Sequence, residues 1–182
     1  MKNAKLVLGL FIIVAVLQLA APLYMAWHWE NILQTGSQYY WQTAPVDPYD
    51  ALKGRYVDLG FKEQKGPLVG NSNLEQGQIA YALLAKDANG HTVISSVSAS
   101  QPAETSYVRV KVSYTKDNIV QVELPFRRYY IQEDLAFAAE QAYHQRAAKE
   151  GTAAVRIKDG YGVIEQLYIG DESIYEYLRG KK

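Results

Sequence analysis

The sequence of 182 residues contains no cysteine. Disulfide bonds, thiolate metal ligands and a cysteine nucleophile are therefore excluded, and the stability of the fold must come from ordinary packing. The sequence also lacks an excess of charge of either sign, because Lys plus Arg and Asp plus Glu each number 19. Without a strong positive field, nucleic acid is not expected as a partner.

Charge is also missing from one long stretch near the N-terminus. After Lys2 and Lys5, residues 6–21 contain no charged side chain, and Gln18 is their only strongly polar residue. Extended to Ala26, the stretch has roughly 21 residues, or about 31 Å of helix, which matches a hydrocarbon core of about 30 Å. The sequence therefore predicts a transmembrane helix embedded in a lipid bilayer.

The residues that flank this stretch indicate its orientation. Tyr24, Trp27 and Trp29 lie at its far end, where amphipathic rings favour the headgroup layer, whereas lysines precede it. Positive charge favours the cytoplasmic side, so the N-terminus is expected inside and everything after Glu30 outside the plasma membrane. Residues 1–29 then form the anchor with a short cytoplasmic start, and residues 30–182 form a periplasmic or extracellular domain.

A cleaved signal peptide is the main alternative for the N-terminal stretch. Cleavage requires small residues one and three places before the cut, but Gln18 precedes Ala20, Leu19 precedes Ala21, and Pro22 follows. A buried core helix is a further alternative, although such helices seldom run this long without a polar face. We therefore expect a retained signal anchor.

Beyond Glu30 the sequence changes to short segments rich in tyrosine and valine, a pattern typical of β-strands. Extended segments are predicted at 37–43, 56–61, 77–86, 92–100, 107–114, 119–124, 153–158 and 163–169. Turns at 89–90, 116–118 and 159–160 are predicted to join six of them into three antiparallel hairpins. The residues expected on the apolar face of segment 107–114 are Val108, Val110, Val112 and Tyr114.

Residues 133–149 are mostly strong helix formers and predict a helix of about four turns, which Gly151 would end. The residues expected to pack this helix on a sheet are Leu135, Ala138, Ala139 and Ala142. The glycine-bearing stretch 65–77 predicts a surface loop. The expected fold class is α+β and mostly β: one N-terminal transmembrane helix followed by an antiparallel β-rich domain with one packed helix.

The stretch 30–61, ENILQTGSQYYWQTAPVDPYDALKGRYVDLGF, resembles the signature of the bacterial GDYXXLXY family. The matching positions are Gly36, Asp47, Pro48, Asp50, Gly54, Tyr56 and Leu59, whereas Arg55 and Phe61 replace the Asp and Tyr of the family name. A later block, RRYYIQED at 127–134, and Glu140 resemble the second conserved-looking block of that family. The resemblance implies an extracytoplasmic domain that works with a neighbouring polytopic membrane protein, and it implies no known reaction.

The residue types of the first block indicate a turn that leads into a strand. Pro48 fixes its backbone, Asp47 and Asp50 can cap the turn, and Gly54 can adopt a positive φ. Tyr56 is then expected as a buried aromatic anchor. A calcium or magnesium site formed by Asp47, Asp50 and Asp58 is the alternative, but the spacing matches no ordered ligand loop.

Other side chains with possible chemistry are scattered. The three histidines are His28 in the membrane interface, His91 after a turn, and His144, which is expected to pair with Glu140 on a helix. Four serines alternate between positions 95 and 100 without a GxSxG or SxxK element around them. No catalytic, cofactor or metal residue is assigned from the sequence.

The basic and aromatic block offers the best candidates for an interaction. Arg127, Arg128 and the adjoining tyrosines can bind an anionic headgroup or a peptide carboxylate. Internal ion pairing with nearby acidic residues is the alternative. The candidate interaction residues are Arg127, Arg128, Tyr130, Glu133 and Glu140.

Two classes of function are consistent with these features. The preferred one is a membrane-anchored extracytoplasmic accessory or interaction module that works with another membrane protein and needs no cofactor. The alternative is an envelope hydrolase that acts on peptide or cell-wall material, which would require serine, histidine and carboxylate side chains to converge in a pocket.

The predicted orientation can be tested with a reporter fusion. Alkaline phosphatase fused after Gly180 is expected to be active, because the lysine imbalance places the C-terminal domain outside. Phosphatase activity in whole cells, together with N-terminal sequencing of the mature chain, measures the result. An inactive fusion, or a mature chain that begins near Ala21, would contradict the retained anchor.

Overall fold

A computed structural model describes residues 2–44, 56–70, 73–103 and 106–180, with the side chains of 2–4 and 146–149 left aside. It begins with helix α1, Lys2–Thr35. The portion Lys5–Thr35 has a mean hydropathy of 2.6 in its most apolar window, none of which is buried. One helix is therefore long and apolar enough to cross a membrane.

The remaining chain is mostly β-structure with two further helices, which confirms the predicted fold class. The strands are β1 Ser37–Ala44, β2 Tyr56–Asp58, β3 Gly60–Phe61, β4 Lys65–Val69, β5 Ile79–Lys86, β6 Thr92–Ser98, β7 Tyr107–Lys116, β8 Ile119–Glu123, β9 Arg128–Tyr130, β10 Gly151–Lys158, β11 Tyr161–Ile169 and β12 Glu172–Ser173. The helices are α2 Glu133–Glu150 and α3 Ile174–Arg179.

Five strands form a closed barrel in the order β4-β6-β5-β7-β8. All neighbours are antiparallel except β4 and β6, which pair in parallel and complete the closure. Most of the buried side chains of these strands are small or β-branched, which suits the narrow interior of a five-stranded barrel. They include Ala80, Ala82, Val97, Val108, Val110, Val112, Val120 and Val122.

A second sheet has the order β12-β11-β10-β1-β3, and helices α2 and α3 pack against it. Trp41, Phe61 and Phe126 meet edge to face beneath it, with ring centroids 5.5–6.1 Å apart. Helix α2 is fixed to this sheet by the Tyr143 hydroxyl, which donates to the Ala44 carbonyl at 2.7 Å and accepts from the Gly60 amide at 3.3 Å. Burial raises the pKa of Tyr143, so the hydroxyl keeps its proton.

The three predicted hairpins are confirmed as β5-β6, β7-β8 and β10-β11. The predicted helix 133–149 is confirmed as α2. Segment 56–61 is extended as expected, but it is interrupted at Leu59. Strand β2 on one side pairs with β9, and β3 on the other side pairs with β1.

Three local predictions are wrong. Residues 65–69 are not surface loop but strand β4, where Gly66 lies so close to Ile94 that a Cβ would be 2.6 Å from its Cγ2. Tyr114 is exposed, because a register shift after Val112 reverses the alternation of side chains. On α2, Ala138 is exposed and Ala136 is buried instead, together with the correctly predicted Ala139 and Ala142.

Helix α1 continues directly into the domain. It runs past Glu30 to Thr35, and Ile32 on its last turns is only 1% exposed. At the helix end, the Gly36 amide donates to the Ile32 carbonyl at 2.8 Å, and the Lys158 Nζ donates to the Thr35 Oγ1 at 2.8 Å. The last turns pack on β10 and β11, so no flexible linker separates the apolar helix from the β-rich domain.

Gly36 is expected to be essential for this junction. A Cβ at Gly36 would be 2.5 Å from the Ile32 carbonyl oxygen and 3.1 Å from the backbone of Ile157. Both neighbours are backbone atoms, which cannot move aside without disturbing the helix end or strand β10. Gly36→Ala should lower the free energy of unfolding by roughly 1–3 kcal/mol through overpacking. Thermal denaturation of the full-length protein in detergent measures the loss.

Gly180→Ala is the matched control for this substitution. A Cβ there would lie 3.6 Å from its nearest neighbour, the Glu176 carbonyl oxygen, which is an ordinary contact distance, and φ is −69°. The control should melt like the unaltered protein. If Gly36→Ala melted at the same temperature as Gly180→Ala, the junction would not be tightly packed.

Candidate interaction groove

The two motif blocks that are far apart in the sequence meet as a short two-stranded ribbon. Strands β2 and β9 pair antiparallel, with Tyr56 opposite Tyr130 and Asp58 opposite Arg128. The Leu59 amide extends the pairing by donating to the Arg127 carbonyl at 2.7 Å. Residues 56–59 of the first block and 127–130 of the second block therefore form one structural unit.

The side chains of the ribbon stack on each other. The rings of Tyr56 and Tyr130 lie 5.8 Å apart, and the Arg128 guanidinium lies 4.8 Å from the centre of the Tyr56 ring. Such a cation-π contact restrains the arginine without neutralising its charge. Arg127 Nε lies 3.8 Å from an Asp58 carboxylate oxygen, at the long end of salt-bridge distances, and the Arg127 side chain is 54% exposed. Both cations thus stay accessible to solvent.

A groove of about 820 Å³ runs beside this ribbon. Four parts of the chain form its walls: the segment 124–130, the strand β11, the last turns of α1, and α3. The lining residues are Trp29, Leu124, Pro125, Phe126, Arg127, Arg128, Tyr129, Tyr130, Gly162, Val163, Ile164, Glu165, Gln166 and Tyr175. Trp29 is the contribution of the apolar helix, so the groove opens where that helix meets the domain.

The acidic residue of the groove is held by an arginine behind it. Arg156 donates to Glu165 through two nitrogens, at 2.8 and 3.0 Å, and Gln38 donates to the same carboxylate at 2.7 Å. The hydrogen bonds from Arg156 and then Gln38 lower the pKa of Glu165. The Arg156 Nη1 also donates to the Gly36 carbonyl at 3.2 Å, which ties this wall to the end of α1.

The floor of the groove carries a buried tyrosine. The Tyr129 hydroxyl lies 3.4 Å from the Gln166 side-chain oxygen, and its side chain is almost completely buried. Burial raises the pKa of Tyr129 far above its usual value, and the neighbouring Tyr175 raises it further. Tyr129 therefore presents a neutral hydroxyl at physiological pH.

The candidate residues from the sequence divide into three groups. Arg127, Arg128 and Tyr130 line the groove, whereas Glu133 and Glu140 lie on α2 and are not among its lining residues. Leu59 and Phe61 are core residues, and Tyr56 is half-buried under Arg128 rather than fully buried. The motif positions Asp47, Pro48, Asp50, Gly54 and Arg55 lie outside the described residues.

A second, more polar cavity of about 540 Å³ lies between the turn at 89–91 and the five-stranded sheet. His91 borders it, with Nδ1 3.8 Å from an Asp87 carboxylate oxygen. The serines do not join this histidine: Ser95 Oγ donates to the Leu83 carbonyl, and Ser98 Oγ lies 3.4 Å from Ser100 Oγ. His144 Nε2 lies 3.7 Å from a Glu140 carboxylate oxygen, as the helical spacing predicted.

Clusters of side chains that could bind a metal ion are the remaining kind of candidate site. Within the described ranges, no three His, Asp or Glu side chains lie close enough together to hold a metal ion. Asp58, one of the three aspartates of the alternative metal site, is instead near Arg127.

Sequence reasoning did not place Trp29, Glu165, Gln166 and Tyr175 in the groove. Trp29 was attributed only to the aromatic belt, and the other three lie far from the arginines in the sequence. Strand alternation would turn Glu165 and Gln166 to opposite faces, but a register shift of β11 against Ala154 and Val155 leaves Glu165 as an extra residue, and both side chains line the groove. That alternation cannot show which face meets segment 124–130.

The architecture defines a class: a long apolar helix that enters a β-rich domain without a linker. The family described as GDYXXLXY protein matches residues 18–167. Because the match covers most of the chain, this protein belongs to the GDYXXLXY family, and the resemblance seen in the sequence is confirmed. No curated protein matches the chain, and no solved structure does.

The Arg156–Glu165 pair should make the stability of the fold depend on pH. Because the pKa of Glu165 is lowered on folding, its contribution is present above the ordinary value of 4.5 and is lost as the pH falls through the lower folded value. Glu165→Gln should therefore melt at a lower temperature than the unaltered protein at pH near 7. The difference should shrink at a pH well below 4.5.

Melting of the full-length protein at neutral and acidic pH measures this effect. Glu172→Gln, a change at an exposed carboxylate, serves as the control and should melt at the same temperature as the unaltered protein at both pH values. An equal effect of Glu165→Gln in acid and at neutral pH would show that the charge of Glu165 does not stabilise the fold.

Proposed function

We propose that this protein is a membrane-anchored interaction module whose β-rich domain works on the outer side of the plasma membrane, beside another membrane protein. Helix α1 spans the membrane with its N-terminus in the cytoplasm. The observation that carries the proposal is the continuous junction, in which α1 extends into the domain and Ile32 is buried there.

A continuous junction favours a task at the membrane surface. The apolar stretch ends near Ala26, and Ile32 follows six residues later, or about 9 Å further along the helix axis. The domain is therefore held at a fixed height, in contact with the headgroup layer. A domain that had to search the envelope for distant substrates would gain from a flexible tether.

The composition of α1 supports a helper rather than a transporter. Gln18 is the only strongly polar residue within residues 6–21, so the span offers no relay of ionisable groups for ions or protons. Family membership supports the same conclusion, because the resemblance implied a neighbouring polytopic membrane protein as partner. The transmembrane chemistry would then belong to the partner.

The outer domain, and not the span, is proposed to make the partner contacts. Gly9 lies in the span, but Ile13 stands four residues further on, so the glycine pair that permits close helix packing is missing there. The span is thus free to be replaced by another apolar helix.

An exchange of the span tests the proposal. Cross-linking and affinity purification of the full-length protein from its native membrane should recover a polytopic membrane protein. Replacing residues 6–21 with an unrelated apolar helix should preserve most of this recovery, because the contacts are made outside. If the exchanged protein inserts correctly but loses its partner, a packed intramembrane interface must replace the proposal.

A flexible insertion is the matched counterpart of this exchange. A short Gly-Ser linker between Ala26 and Trp27 leaves the contacts of Ile32 and Gly36 in place but releases the domain from its fixed height. Recovery of the partner should fall in this variant. Undiminished recovery would show that the fixed height is not required.

A further inference from the structure

We propose that the groove beside Arg127 and Arg128 binds the phosphate-bearing headgroup of an anionic phospholipid from the outer leaflet. The inference rests on the membrane topology proposed above. It follows from three properties of the groove: its height above the apolar span, its net charge, and the chemistry of its walls.

The height of the groove is set by Trp29. This residue lies three positions beyond Ala26, or about 4.5 Å along the helix axis past the end of the apolar stretch. The headgroup layer extends roughly 5–8 Å beyond the hydrocarbon core on each side. Because Trp29 lines the groove, part of the groove lies within the headgroup layer.

The charges of the groove are complementary to phosphate. Arg127 and Arg128 are its basic lining residues, and Glu165 is its acidic one. Glu165 is already paired with Arg156 through two hydrogen bonds. Arg127 Nε lies 3.8 Å from an Asp58 carboxylate oxygen with its side chain 54% exposed, and Arg128 rests on the neutral ring of Tyr56. The groove therefore presents a surplus of positive charge.

The walls suit a headgroup with its adjoining glycerol. Guanidinium groups donate two parallel hydrogen bonds to phosphate oxygens, and Arg128 is oriented in advance by the Tyr56 ring. The rings of Trp29, Tyr130 and Tyr175 supply amphipathic surface of the kind that lies among headgroups. The volume of about 820 Å³ is ample for this portion of a lipid.

A lipid is favoured over a peptide carboxylate because of where the groove lies. A site within the headgroup layer faces phospholipid at all times, and basic side chains at a membrane surface are attracted to anionic headgroups. A carboxylate would have to compete with that local excess. The position of Trp29 therefore decides between the two anions considered from the sequence.

Native mass spectrometry of the full-length protein in a nonionic detergent tests the inference. The probes are a short-chain phosphatidylglycerol, a phosphatidylcholine of equal chain length, and glycerol phosphate without acyl chains. Phosphatidylglycerol should bind most tightly. The double variant R127Q/R128Q should weaken that binding by up to roughly 25-fold, or up to roughly fivefold for each arginine, which is the upper value for an exposed ion pair.

Two further double variants serve as controls. R127K/R128K keeps both charges and should retain most of the binding, whereas K86Q/K116Q removes two exposed charges from the barrel and should bind like the unaltered protein. If R127Q/R128Q fails to fold, R127Q alone replaces it, because that side chain is more than half exposed. Phosphatidylglycerol binding is then expected to weaken by up to roughly fivefold.

Three results would overturn the inference: equal binding of phosphatidylcholine and phosphatidylglycerol, unchanged phosphatidylglycerol binding after removal of the arginine charge, or equally tight binding of glycerol phosphate. The last result would indicate a site for a soluble anion. Partner recovery from native membranes is a separate measurement, so loss of lipid selectivity can be distinguished from failure of the interaction module itself.

Discussion

Arg156 on β10 contacts both β11 and the junction between α1 and β1, and it thereby links the apolar helix to the rest of the molecule. Its guanidinium binds Glu165 on β11 and reaches the carbonyl of Gly36, where α1 ends and β1 begins. Gln38 on β1 completes the arrangement by donating to the same carboxylate. Because these bonds join the helix end to neighbouring strands, the direction of α1 relative to the β-rich domain is fixed by the domain itself.

The groove depends on this same arrangement. Its wall on β11 contains Glu165, and Trp29 enters it from α1. If the helix could change its direction, Trp29 would leave the groove and the arginines would lose their fixed distance from the apolar helix. The junction thus supports both proposals: it holds the domain beside a membrane partner, and it places the positively charged groove among lipid headgroups.

The sequence was most informative where the signal was local. Turn residues such as Asp159 and Gly160 predicted hairpins correctly, and the composition of 133–149 predicted α2. Residues 65–69 were predicted as a loop because Gly66 and Pro67 are poor strand formers. They form a strand because they pair with β8 to close the barrel, where Gly66 packs closely on Ile94.

The site was only partly predictable for a related reason. The arginines stood out because they are adjacent in the sequence, and they do line the groove. Trp29 lies almost a hundred residues before the two arginines in the sequence, and Glu165 lies nearly forty residues after them. Their convergence results from the docking of α1 on β10 and β11, which no local pattern records. The exposure of Tyr114 could not be predicted for the same reason, because the register shift after Val112 depends on how β7 pairs with β8.

The way in which the sheets end restricts how copies of this domain can associate. Closure leaves the barrel without an edge, and the outermost strands of the other sheet, β3 and β12, contain two residues each. Proteins confined to a membrane surface meet one another often, and long exposed strand edges would invite indiscriminate pairing of backbones. Because β3 and β12 are so short, these two strands offer little backbone for pairing, and contacts made through them would rely mainly on side chains.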